Sequence, residues 1–138
     1  MIICSIGHGY LASFLFKELC SLGILGLGIS SKDTFASNSL DNFKIFNRSE
    51  VKNAISYSTH LLVTAPSNNN GCPVLNNYFN LIAKSNIKSI TYISTTGVYG
   101  NHKGDVVDED SLLKPKYSSD RHRILAEGQW VNFSKNNN

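Results

Sequence analysis

Nowhere does this chain string together the ~20 apolar residues that a membrane-spanning helix requires. Its opening, "MIICSIGHGY", has neither the basic start nor the cleavage pattern of a signal peptide, so no secretory leader is expected. Cysteine is scarce and odd in number: Cys4, Cys20 and Cys72 stand far apart, with no C-x-x-C spacing. A disulfide framework or a zinc site is therefore not expected, and the reducing cytoplasm is the natural setting for three free thiols packed as small apolar groups. Charge is sparse too. Charged residues make up 17% of the chain, the formal net charge is +3, and the basic residues are scattered singly. No dense patch suits nucleic acid, so neither nucleic acid nor membrane is expected as a partner. There is no internal repeat and no low-complexity block beyond the Asn triplets of "SNNNG" and the closing "KNNN", the latter reading as a frayed tail.

What is present is a hydrophobic content of 41% over 138 residues, enough for one domain with a sizeable core but not for two. "MIICSI" is a short apolar run ending at Gly7, in the style of a buried parallel strand. Leu11, Phe14, Leu15, Leu19 and Leu22 then recur at helical steps, with Lys17 and Glu18 on the other face and Gly23 closing the helix. "ILGLGI" is a second strand, "FKIF" a weaker one, and "SEVKNAI" a helix start with Ser49 as its expected N-cap. "HLLVTAP" is a strong strand that Pro66 ends, Val74 to Ala83 is helical in spacing, and "IKSITYIST" is another strand. Asn101 to Tyr117 reads as a surface loop, and a last helix runs from about Ser119 towards Phe133. Strands alternating with helices in this way predict an α/β domain with a parallel sheet, whose ligands sit beyond the carboxyl ends of the strands. "GHGYLA", "TAPSNNNG" and "STTGVYG" all end strands with small residues and should gather along that rim.

"ICSIGHGYLA" contains G-x-G-x-x-A, made by Gly7, Gly9 and Ala12, directly after a strand and opening a helix. Gly7 permits the tight turn, Gly9 lets the backbone approach a pyrophosphate, and Ala12 lets the helix pack close to the strand. The helix N-terminus, at Tyr10 and Leu11, offers free N–H donors to that anion. His8, between the glycines, is expected to face solvent. An NAD site usually carries an acid about twenty residues after the loop. Here that zone reads Ser30, Ser31, Lys32, with Asp33 late, which suits the 2′-phosphate of NADP better than NAD. Asp108, Glu109 and Asp110 are consecutive and point in different directions, so they are read as a solvated loop capping the next turn, and no metal is expected.

Taken in order, "GHGYLA", "HLLVTAPSNNNGCPVL", "YISTTGVYGNHKGDVVDEDSLLKP" and "RHRILAE" resemble extended short-chain dehydrogenase/reductases, in particular the atypical branch of NAD-dependent epimerase/dehydratase-like proteins. The resemblance implies a Rossmann-like doubly wound sheet binding NAD(P) through the first loop, with Ala65 and Pro66 passing under the cofactor. It implies a catalytic hydroxyl at Thr95, three residues before the Val of the V-Y-G turn. The family then uses Tyr-x-x-x-Lys, and those two positions fall on Ser119 and Arg123 here, so the catalytic pair is absent. Arg123 keeps the ability to donate to ribose or phosphate but does not shuttle protons. Tyr117 is two residues early, and a helix turns ~100° per residue, so its phenol is expected to point elsewhere. His122 is read as an exposed helix residue.

The family continues into further strands and a substrate-binding part. The expected organisation is therefore an incomplete NAD(P)-binding domain over 1–133 and a disordered tail at 134–138. An unpaired sheet edge is expected to draw self-association or a partner chain. Four readings stay open: a truncated and catalytically weak domain, a small true oxidoreductase using Thr95 with water or His122, a regulatory NADP-sensing protein, and a decayed remnant. A methyltransferase would leave "STTGVYG" unexplained.

Overall fold

The computed structural model describes residues 1–30 and 42–137. Along them run β1 (Ile2–Ile6), α1 (Tyr10–Ser21), β2 (Leu25–Ile29), β3 (Phe43–Phe46), α2 (Val51–Tyr57), β4 (His60–Val63), α3 (Pro73–Ala83), β5 (Ser89–Tyr92) and α4 (Ser118–Asn136). The strands form one sheet in the order β3-β2-β1-β4-β5, and every pairing is parallel. The expected Rossmann-like α/β arrangement is what the chain adopts. Among the described residues no helix is long and apolar enough to cross a membrane.

The order records a reversal. From β1 the chain builds outward through β2 and β3, then returns to place β4 and β5 on the other flank of β1. The switch point lies between β1 and β4, where a crevice opens at the carboxyl ends of such sheets. The two strands are stitched together there: Ile6 O accepts from Thr64 N at 3.0 Å and Ala65 N at 3.1 Å. The Thr64 hydroxyl also donates to Gly7 O at 2.7 Å.

Alternation along the strands sends side chains to both faces. Cys4, Ile6, Ile29, Leu61 and Val63 pack on one side against Val51 and Ile55 of α2, Leu75 and Ile82 of α3, and Ala126, Trp130 and Phe133 of α4. On the other side Leu62 and Phe43 meet Ala12, Phe16 and Cys20 of α1.

The helix α1 lies where expected but is turned differently. Ala12, Phe16 and Cys20 are its buried residues, whereas Leu11, Phe14, Leu15 and Leu22 are exposed and Leu19 is only partly covered. The cause is in the sheet. Gly26 faces α1, and a Cβ there would lie 2.6 Å from Phe16 Cε1 and 2.8 Å from Phe43 Cδ2. The bare strand admits the Phe16 ring, and small Ala12 and Cys20 let the helix close on it.

Two local boundaries also differ. Asn47, not Ser49, caps the turn before α2: its side chain accepts from Ser49 N at 2.9 Å and starts a 3-10 turn over Arg48–Glu50. The last helix continues past Phe133 to Asn136, so residues 134–136 are helical rather than a disordered tail. Gly23 does follow α1 with φ +74, and its N–H donates to Cys20 O at 3.0 Å, a left-handed helix stop.

Candidate functional site

At the end of β1 the chain turns at Gly7 with φ +92, where a Cβ would lie 2.7 Å from Ala65 Cα. Only glycine permits both that backbone and that approach of β1 to β4. Gly7 N and His8 N both donate to Ile29 O, at 3.1 and 2.8 Å, which ties the loop to β2 as well. Gly9 is different. Its φ is −131, and a Cβ there would find only Gly7 O, at 3.6 Å. Neither backbone nor packing demands glycine at that position. Gly9 N-caps α1 with no side-chain cap, so the first N–H groups of the helix, from Tyr10 onward, lack intrahelical acceptors.

A cavity of about 630 Å³ opens beside this turn. It brings together Gly7, Gly9, Tyr10, Ser30, Ala65 and Pro66, the rim residues singled out in the sequence. Its remaining walls include Arg48 from the turn after β3, Val51 of α2, and Pro73, Val74, Asn77 and Tyr78 of α3. Among the described residues no Asp or Glu lines it. Leu11 is half-exposed outside the lining, and Ser31, Lys32 and Asp33 lie outside the described residues. Sequence reasoning missed Arg48 and the α3 wall. Neither belongs to a glycine loop, and only the sheet order brings them to β1.

Arg123 does not line the cavity. Its Nη1 donates to Tyr92 Oη at 2.9 Å, Ile93 O at 3.0 Å and Ala65 O at 3.4 Å, and the guanidinium sits 5.6 Å from the Tyr92 ring centroid. It therefore ties α4 to the ends of β4 and β5, and its acceptor Ala65 is itself part of the cavity wall. Thr95 is also outside the lining. Exposed, it caps the short turn Thr96–Val98, its hydroxyl accepting from Gly97 N at 3.2 Å. The Ser94 hydroxyl beside it is buried without a hydrogen-bond partner. Ser119 is exposed in the first turn of α4, and Tyr117 precedes the helix, its N–H donating to Asp120 Oδ2 at 3.0 Å. The acidic loop does cap its own turn: Asp108 Oδ1 accepts from the Ser111 hydroxyl at 2.7 Å.

The largest departure from the sequence expectation is His8, which is 3% exposed rather than solvent-facing. Its Nδ1 is 2.6 Å from Ser5 Oγ, its Nε2 is 3.3 Å from Ser13 Oγ, and its ring is 4.9 Å from Phe43 and 5.3 Å from Phe16. Burial lowers its pKa from 6.5. A Cβ on Gly28 would lie 2.9 Å from His8 Cγ, so the second glycine of "LGLG" makes the imidazole's seat. That repeated glycine was the available signal. Burial likewise pushes the Cys4 thiol up to about 12, and all three cysteines are buried and free.

No family model matches the chain, and no curated protein matches it by sequence. Solved structures do. A functionally unknown conserved protein from Silicibacter pomeroyi superposes with a TM-score of 0.83 at 31% identity, over 94% of this chain and 47% of that one. UDP-glucuronic acid 4-epimerase from Bacillus cereus, in complex with NAD, gives a TM-score of 0.79 at 18% identity, over 99% of this chain and 53% of its own. A short-chain dehydrogenase/reductase superfamily protein from Agrobacterium tumefaciens, with bound NAD, gives 0.70 at 14% identity, over 98% and 45%. The chain thus spans about half the length of the structures it matches. Over that span it has the Rossmann-like fold of the NAD-dependent epimerases and short-chain dehydrogenase/reductases that its sequence resembles.

Proposed function

We propose that this chain is a nicotinamide-dinucleotide-binding domain that takes NADP in preference to NAD and lacks the proton-transfer pair of a working reductase or epimerase. The observation that supports it best is the convergence of Gly7, Gly9, Tyr10, Ser30, Ala65 and Pro66 on one cavity at the switch point of the sheet. Gly9 fits a diphosphate: the space a side chain would fill is open, and the N–H groups that begin α1 are short of acceptors. Ala65 and Pro66 offer a low shelf for the ribose and nicotinamide. Ser30, with Ser31 and Lys32 beyond it in sequence, supports NADP because a hydroxyl and ammonium suit a phosphate better than a diol.

Against turnover stand Ser119 and Arg123 at the positions that the Tyr-x-x-x-Lys pair would fill. A serine hydroxyl is too weak an acid to relay protons as a phenol does, and a guanidinium stays protonated. Arg123 is moreover engaged with two backbone carbonyls and Tyr92. The same facts favour a binding or NADP-sensing role over a small oxidoreductase built on Thr95. Free, buried thiols suit a cytoplasmic setting.

Titration with NADPH and NADH, followed by nicotinamide fluorescence, tests the reading. Gly9→Asp should weaken binding by about 100-fold, because a carboxylate would oppose the diphosphate at close range. The melting temperature should stay near wild type, since the site is open and Asp is a good N-cap. Unchanged binding in that variant would remove the loop from the site. Hydride transfer to any member of a panel of carbonyl and nucleotide-sugar substrates would restore an enzymatic role.

A further inference from the structure

We propose that Arg48, in the turn after β3, is the residue that reads the cofactor's 2′-phosphate. This rests on the dinucleotide reading above and adds to it a specificity determinant on a different strand from the one the sequence indicates. Arg48 lines the same cavity as Gly7, Gly9 and Ser30, and among the described residues no carboxylate lines that cavity to neutralise it. The guanidinium has no hydrogen-bond or ion-pair partner among the described residues. Its backbone is nevertheless held in place. Asn47 caps the turn through Ser49 N at 2.9 Å, and Glu50 N closes it on Asn47 O at 3.2 Å. Ser30 N donates to Phe46 O at 3.2 Å, so the ends of β2 and β3 are joined just before Arg48.

Spacing decides which anion Arg48 meets. A diphosphate on the glycine loop sits at the end of β1. Register places Ile6 beside Ile29 and Ile29 beside Phe46, so the turn with Arg48 lies two strand spacings away, ~10 Å. The ribose of the adenosine half then spans the end of β2, over Ser30. An anion within reach of Arg48 is one carried on the far side of that ribose, where NADP has a phosphate and NAD a hydroxyl. Arg presents a fork of donors matched to phosphate oxygens, and an exposed guanidinium loses little hydration until the phosphate arrives.

The test uses 2′,5′-ADP and 5′-ADP, which differ at this position and carry no nicotinamide, with wild-type chain, Arg48→Ala and Arg48→Lys in calorimetric titration. Wild type should prefer 2′,5′-ADP; Arg48→Ala should weaken that ligand by about 10- to 100-fold, the range for a hydrogen-bonded charge, while leaving 5′-ADP within about two-fold. Arg48→Lys should recover part of the loss. Arg48 is exposed, and circular dichroism of each variant verifies that the fold is kept. If the variant keeps the preference, or wild type binds both nucleotides equally, the assignment of Arg48 is overturned while the dinucleotide site stands. If wild type binds neither nucleotide and neither NADPH nor NADH, both readings fall.

Discussion

The two faces of the sheet are built from the same five strands and are closed to different degrees. On one, three helices cover the strands and Cys4, Ile55, Val63 and Ala126 reach 0% exposure. On the other, the described residues supply α1 alone, and its outer surface shows Tyr10 at 80%, Phe14 at 61% and Leu22 at 75% exposure. The cavity at the sheet's rim follows the same division. The cavity draws its walls from the glycine turn and from α2 and α3 on the closed face. On the α1 side the turn is held by a buried histidine. A rigid shelf and a lightly covered brace thus meet at one turn.

Leu61 and Leu62 give the sharpest test of that contrast. They are consecutive, of one residue type, and point to opposite faces at 1% and 5% exposure. Where surroundings cannot relax, a leucine cavity costs more, so Leu61→Ala should lose about 4 kcal/mol and Leu62→Ala about 2–3 kcal/mol. Urea unfolding measures both. Equal losses, or the reverse order, would mean that the α1 face is packed as tightly as the other.

Next in size is the brace itself. Burial disfavours the charged form of His8 and holds its pKa in the folded chain below the 6.5 of the unfolded one. Above that pH both states carry neutral imidazole and stability is level with respect to His8. As pH falls below it, the unfolded state takes up a proton more readily than the folded state, so stability drops. Unfolding midpoints in urea between pH 7.5 and 5 should show this decline, and His8→Asn should flatten it. An NMR titration in which the His8 ring protonates at or above its ordinary value would show that the imidazole is not held neutral.

How much of this was readable in the residues follows from what each signal depends on. Strand and helix order came through because apolar runs and glycine stops are local. That Gly7, Gly9, Ser30, Ala65 and Pro66 would share one rim was legible because each lies at or just past the carboxyl end of a strand. The facing of α1 was misread because "YLASFLFKELCSL" is apolar nearly all round, and a stripe chosen from its largest residues points outward. The deciding features, Gly26 and Gly28, stand on another strand and act only once β2 lies beneath the helix. His8 was misplaced for the same reason. Arg48 is further from recognition still, since its nearness to Gly7 exists only through two strand pairings.

The smallest expected effect concerns the outer surface of α1. Phe14 and Leu22 are largely exposed, so Phe14→Ser and Leu22→Ser should each change stability by less than about 0.5 kcal/mol. The quantity they should change is association. A neighbouring pair of rings, Tyr10 and Phe14 at 4.8 Å, together with Leu11 and Leu15 gives a contiguous apolar surface of the kind monomers rarely expose. Among the described residues β5 is in addition paired on one side only, although at four residues it is a short template for strand addition. Sedimentation of the wild type against Phe14→Ser separates the two routes to assembly. If self-association runs through α1, the substitution lowers it at unchanged stability; if it runs through the β5 edge, the substitution leaves it intact, and a proline placed at Thr91 abolishes it instead.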